Sequence, residues 1–212
     1  MKGAIFDLDG TLIDSMHVWD KVDNDLLHFY GHKPDEEYRN AITKLSFLEG
    51  AKYIIQRYHI PKTPEEILKQ IDEMAYIEYK YHISLKEGVK EYLIHLQTQG
   101  IPMMIGTSCT QKLCEAVLQN NGVFSLFHRF VYSNEITGGK RNPDFFRVCA
   151  NKLGFSCHEC TVFEDSVFAA ESARSAGCKT IGVYDSYSCT MFDELKKICN
   201  HTILSFSELF PA

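Results

Sequence analysis

Four short segments of the chain concentrate residues able to do chemistry: Asp7-Leu8-Asp9-Gly10-Thr11, Thr107-Ser108, Lys140 and Glu164-Asp165. Three or four carboxylates gathered in one place repel one another, and each ionised neighbour raises the pKa of the next. They stay ionised together only around a cation. All-oxygen ligation suits Mg²⁺, which is held by one or two carboxylates and completed by water and phosphate oxygens. A carboxylate beside a metal-bound phosphate is a credible nucleophile and would form an aspartyl-phosphate. A second carboxylate two residues on could protonate the leaving oxygen and then deprotonate a water. Thr107 or Ser108, together with Lys140, would bind the remaining phosphoryl oxygens and offset developing charge.

Such groups need elements that bring them together. Residues 3–7, Gly-Ala-Ile-Phe-Asp, form an apolar run ending in acid, as a buried parallel strand does. Residues 14–86 are polar and helically periodic. Ile67, Leu68, Ile71, Met74 and Ala75 recur at three- and four-residue spacing, and Pro61 and Pro64 separate two helices. Tyr76, Tyr79 and Tyr81 read as packing within this insertion. From Gly88 onward strands and helices alternate. Helices are expected over 89–96, 113–118 and 166–176, with one opened by Pro143. Strands are expected over 101–105, 130–132, 160–163 and 180–183, and a short helix over the tail from Met191. This alternation implies a parallel sheet covered on both faces. Ligands of such sheets bind beyond the carboxyl ends of the strands, where strand order reverses. With the first strand central, the next two on one side and the fourth on the other, Asp7, Thr107 and Glu164-Asp165 converge on one crevice.

These segments resemble the motifs of the haloacid dehalogenase superfamily of phosphatases and phosphomutases. Asp7-Leu8-Asp9-Gly10-Thr11 is similar to the first motif, Gly106-Thr107-Ser108 to the second, and Gly139-Lys140 with Pro143-Asp144 and Phe146 to the third. Val162-Phe163-Glu164-Asp165-Ser166 is similar to the fourth. The resemblance implies an α/β, Rossmann-like core formed by residues 1–13 and 87–212, with residues 14–86 as an all-helical cap of the β-phosphoglucomutase-like branch. It implies Asp7 as nucleophile, Asp9 as acid/base and Lys140 as catalytic cation. The implied metal ligands are Asp7, the Asp9 backbone carbonyl and Asp165, with Glu164 assisting through water. The third motif departs from the usual Lys-Pro, because Arg141 follows Lys140.

Hydrolysis of a small phosphate monoester is the leading expectation, and a phosphomutase using the same aspartyl-phosphate is its rival. Mutases of the branch meet a distal phosphate with an Arg in a segment resembling Gly-Val-Ser-Arg. Here the segment is Lys44-Leu45-Ser46-Phe47-Leu48, and Trp19 stands where the mutases place a His. Both departures favour net phosphate release. Lys44 could still act as a point charge toward substrate, and Trp19 is either packing of the first insertion helix or a substrate-facing side chain. A receiver-like signalling module also combines an acid pair, a phospho-accepting Asp, a hydroxyl and a Lys. Receivers lack both a helical insertion of this size and an acid two residues beyond the phosphorylated Asp.

Composition narrows the partners. The 212 residues carry a formal net charge of −6, with 45% apolar and 24% charged residues, ordinary values for a globular protein. Lys and Arg form no stripe, so a nucleic-acid partner is not expected. No run reaches the length of a membrane span. The eight cysteines all lie in the second half at irregular spacing. They read as reduced thiols of a cytoplasmic protein. Cys157-His158-Glu159-Cys160 is a lone CxxC without the second pair that a zinc site requires.

Overall fold

The computed structural model describes residues 1–42, 45 and 47–210. The chain divides into two compact units, one made of Met1–Met16 with Ile83–Ala212 and the other of His17–His82.

The first unit is built on six parallel strands: β1 (Gly3–Phe6), β2 (Met103–Thr107), β3 (Arg129–Tyr132), β4 (Cys160–Glu164), β5 (Lys179–Val183) and β6 (His201–Ile203). Their spatial order is β3-β2-β1-β4-β5-β6. The strand order therefore reverses at β1, as the convergence of the motifs requires. Ile5 is in register with Met104 on one side and Val162 on the other, so the carboxyl ends of β1, β2 and β4 lie side by side, with β4 reaching one residue and β2 two residues beyond the end of β1.

Both faces of the sheet are covered, which explains the unbroken apolar runs of its central strands. On one face Ile5, Met104, Val131 and Val162 pack with Phe145, Phe146, Ala169 and Ala173. On the other, Phe6 stacks on Phe163 with ring centroids 4.5 Å apart, and Phe206 lies 5.8 Å from Phe163. Each fully buried phenylalanine contributes roughly 1.5–3 kcal/mol by leaving water.

β6 is a correction to the expected strands. Its sequence is only His-Thr-Ile, too short for a period-two signal, and it exists through pairing with β5. Pro143 is a second, smaller correction: it caps rather than opens the helix that begins at Asp144.

The second unit contains, among the described residues, helix α1 from its second residue (whole span Met16–Phe29), α2 (Glu36–Ile42), α3 (Phe47–Tyr58) and α4 (Pro64–Tyr81). The start of α4 is written in its first residues. Thr63 accepts a hydrogen bond from the Glu66 N–H, the Glu66 carboxylate accepts from the Thr63 N–H, and Pro64 sits at the first position. Ile67, Ile71, Ala75 and Tyr79 form its buried face, while Leu68 and Met74 lie half-buried beside it. Of the three tyrosines, only Tyr79 is fully buried. Tyr81 is 60% exposed, and the Lys80 ammonium lies over both the Tyr76 and Tyr81 rings. Among the described residues no helix is long and apolar enough to cross a membrane.

Candidate active site

Asp7 follows β1 directly, and its N–H continues the ladder by donating to the Phe163 carbonyl at 3.0 Å. The chain then turns sharply. The Leu8 carbonyl accepts from the N–H groups of Thr11, Leu12 and Ile13, and Gly10 adopts a φ of +77°. A Cβ at Gly10 would stand 2.5 Å from Asp165 Oδ2. Glycine is therefore required twice over, for the left-handed backbone and for the approach of Asp165. The turn presents Asp9, which accepts a 2.7 Å hydrogen bond from the Ser15 hydroxyl, and Thr11, which donates to Asp165 at 3.2 Å.

Glu164 is the last residue of β4, and Asp165 leads into the helix Val167–Ala176. Glu164 accepts from the Ser166 N–H at 3.1 Å through one oxygen and from Lys140 at 2.8 Å through the other. Lys140 also pairs with Asp7. It reaches both carboxylates from a 3₁₀ turn, Gly139–Arg141, rather than from the end of β3. Thr107 ends β2 fully buried, and its hydroxyl oxygen accepts from the Cys109 N–H at 3.0 Å. Ser108 is exposed. The helix that follows, Gln111–Asn120, is capped by Thr110, which accepts from the Leu113 N–H.

The electrostatics of this pocket are those of crowded acids out of water. Burial and then the Glu164 carboxylate push Asp7 up to about 7, against the pull of Lys140. Burial, with Glu164 and Asp7 beside it, raises Asp165 as well. Burial disfavours the Lys140 ammonium, but Asp7 and Glu164 more than offset this and hold its pKa above the ordinary lysine value. Asp7, Glu164 and Asp165 each bring one carboxylate oxygen to within 4.8 Å of the others. Three buried acids facing one lysine are short of positive charge, and an oxygen-seeking divalent cation fits that deficit. Cys109, beside this cluster, is a poor rival nucleophile because burial pushes its thiol up.

Among the sequence-expected residues, Asp7, Thr107, Lys140, Glu164 and Asp165 are buried together at the ends of β1, β2 and β4, and Asp9 is on the turn beside them. Trp19 belongs to the other unit, half-buried with its ring tilted against Tyr79 at 6.2 Å. Lys44 lies outside the described residues. The sequence reading missed Lys86. Its ammonium donates to the carbonyls of Gly10 and Tyr184 and pairs with buried Asp185 at 2.7 Å. The Lys86 N–H also bonds the Leu12 carbonyl, so the chain returning from the insertion is tied to the turn that carries Asp9. No local pattern in the sequence around His82-Ile83-Ser84-Leu85-Lys86-Glu87 singles it out, because its partners lie far away in the chain.

Comparison with known proteins bears on the family of the chain. The sequence model of the family described as haloacid dehalogenase-like hydrolase matches residues 4–183. Hexitol phosphatase A of Escherichia coli is 30% identical over 86% of this chain and 82% of its own. A fructose-1-phosphate phosphatase of the same organism is 28% identical, covering 85% and 95%. The β-phosphoglucomutase of Clostridium difficile superposes with a TM-score of 0.74 over 99% of this chain and 93% of its own, at 18% identity. That last likeness speaks of fold alone.

Proposed function

The chain belongs to the haloacid dehalogenase-like hydrolases, and from that membership we propose that it is a Mg²⁺-dependent phosphatase acting on a small phosphate monoester of a sugar or polyol. The observation that carries this reading is the buried set of Asp7, Glu164 and Asp165 with Lys140 bridging two of them. The names of the hexitol and fructose-1-phosphate phosphatases supply the substrate class.

In this mechanism the Asp7 carboxylate attacks phosphorus, the bond to the ester oxygen breaks, and an aspartyl-phosphate forms. Asp9 gives its proton to the departing oxygen. It then takes one from the water that attacks the phosphoenzyme, which regenerates Asp7 and releases phosphate. Ser15, bonded to Asp9, orients that carboxyl group. Thr107, Ser108 and Lys140 hold the equatorial phosphoryl oxygens. Asp7, Asp165 and the Asp9 carbonyl, with Glu164 through water, would hold Mg²⁺, which when bound supplies the positive charge that a phosphate dianion needs among these acids. Residues 14–86 act as the cap, and Trp19 is its candidate for contact with substrate.

The phosphomutase alternative rests on likeness of fold, and the residues of the cap segment argue against it. The receiver-like alternative finds no support, because the named relatives are phosphatases.

Phosphate released from a panel of sugar and polyol phosphates, with Mg²⁺ and with excess EDTA, tests the proposal. Release is expected with Mg²⁺ only, with little isomerisation of β-glucose 1-phosphate when a bisphosphate primer is present. Asp7→Asn should form no trapped phosphoenzyme. Full turnover in EDTA, or normal turnover by Asp7→Asn, would overturn it.

A further inference from the structure

The third motif departs from its family's pattern at Arg141, and the structure gives that departure a setting. Lys140 and Arg141 are neighbours in a 3₁₀ turn, where successive side chains are about 120° apart. The two cations accordingly diverge. Lys140 turns inward to Asp7 and Glu164. Arg141 stays exposed and lies over the Phe168 ring, its guanidinium carbon 4.2 Å from the centroid. Phe168, on the helix that follows Asp165, is itself 39% exposed.

A cavity of about 340 Å³ joins these groups, lined by Ser108, Ser133, Asn134, Lys140, Arg141 and Phe168. Its wall thus runs from residues assigned to the transferred phosphoryl group outward to Arg141. The wall is unusual for a chain of net charge −6. It carries two cations, two hydroxyls and an amide, and no carboxylate.

Arg141 is also uncommitted. Among the described residues it forms no ion pair, whereas Arg57 is held by Asp35 and Glu37, and Arg147 by Asp144. Stacking on an aromatic face restrains a guanidinium without consuming its N–H donors. The result is a pre-positioned fork for a planar or tetrahedral anion. Lys140 does not fill that role, because it is buried beside Asp7 and assigned to the transferred phosphoryl group, and its ammonium offers no planar fork.

We infer that Arg141, stacked on Phe168 at the rim of the cavity that begins at Ser108 and Lys140, receives a second anionic group of the substrate. That group is a phosphate or a carboxylate. This narrows the proposed function, on which it rests, from phosphate monoesters in general to those carrying a second negative charge. It also places a specificity determinant on the α/β unit.

Binding to the Asp7→Asn enzyme with Mg²⁺, measured by calorimetry, tests the inference without turnover. The probes are two matched pairs: ribose 5-phosphate against ribose 1,5-bisphosphate, and glycerol 3-phosphate against 3-phosphoglycerate. A charge-assisted pair with Arg corresponds to roughly ten- to a hundredfold in affinity. The doubly charged member of at least one pair should bind at least tenfold tighter. Adding Arg141→Met should reduce that preference to within about twofold, and Arg141→Lys should retain part of it. The pair that responds identifies the group as phosphate or carboxylate. No preference in either pair, or a preference that survives Arg141→Met, overturns the inference. Phosphate release from the same four compounds by the unmodified enzyme is scored separately. Preference without release sinks the hydrolase reading alone, and release without preference sinks the role of Arg141 alone.

Discussion

Asp7 is the residue on which the charges of the site converge. Burial and Glu164 push it up to about 7, so near neutral pH a proton competes with any cation for the same oxygens. A bound cation favours the ionised carboxylate, so cation binding must displace that proton wherever it is present. Apparent Mg²⁺ affinity should therefore be level well above pH 7 and fall as pH drops below it, by up to about tenfold per unit for one displaced proton. Calorimetric titrations at pH 6 and 8, in buffers of different ionisation enthalpy, should show proton release at the lower pH. Identical affinities with no proton release would refute the linkage. Gly10 is equally constrained, by geometry rather than charge. Gly10→Ala would place a methyl group 2.5 Å from Asp165 Oδ2 at a φ of +77°. Non-glycine strain of this kind costs of order 1–3 kcal/mol, and the displaced Asp165 should lower kcat more than it raises KM.

At the scale of elements, two local devices can be tested. In the helical unit, Thr63, Pro64 and Glu66 specify the start of α4. Thr63→Ala removes the acceptor for the Glu66 N–H and should destabilise by about 1 kcal/mol. Thr63→Ser should restore most of it, as read by chemical denaturation. In the α/β unit, Lys86 joins three separate stretches: the turn after β1, the loop after β5, and the chain between Ile83 and Val89. Lys86→Met leaves Asp185 buried without its cation, a change of the order of 3–5 kcal/mol. Lys86→Met combined with Asp185→Asn should recover a large part of that loss, because no uncompensated charge remains. Additive losses in the double variant would show that the pair is not the coupled unit it resembles.

For the molecule as a whole, the balance of charge explains how an acidic protein handles anions. A net charge of −6 offers no long-range attraction to phosphate, so binding has to come from cations fixed in place. A cation taken up by the native carboxylate cluster but not by the unfolded chain stabilises the fold by linkage, about 2.7 kcal/mol at a hundred times its Kd. For a chain of this length that corresponds to a rise of roughly 5–10 °C in melting temperature. Mg²⁺ should produce such a rise in the unmodified protein and a much smaller one in Asp165→Asn. All eight cysteines are free thiols, five of them buried. Titration in denaturant without reductant should count eight, and protected pairs would contradict the expected reducing environment.

Much of this was legible in the residues alone. The acids, hydroxyl and lysine of the four motifs are chemical identities, and the apolar runs of the inner strands announce burial on both faces wherever they occur. Local propensity likewise wrote the start of α4. Tertiary structure decided what depends on remote partners. It set the strand order that brings Asp7 between Thr107 and Glu164, and it created β6 from three residues that pair with β5. It joined Lys86 to Asp185 and placed Arg141 on Phe168. Each of these rests on a contact between segments far apart in the chain. Such contacts leave no periodicity in either segment, because the energy that selects them belongs to the pair and not to either sequence.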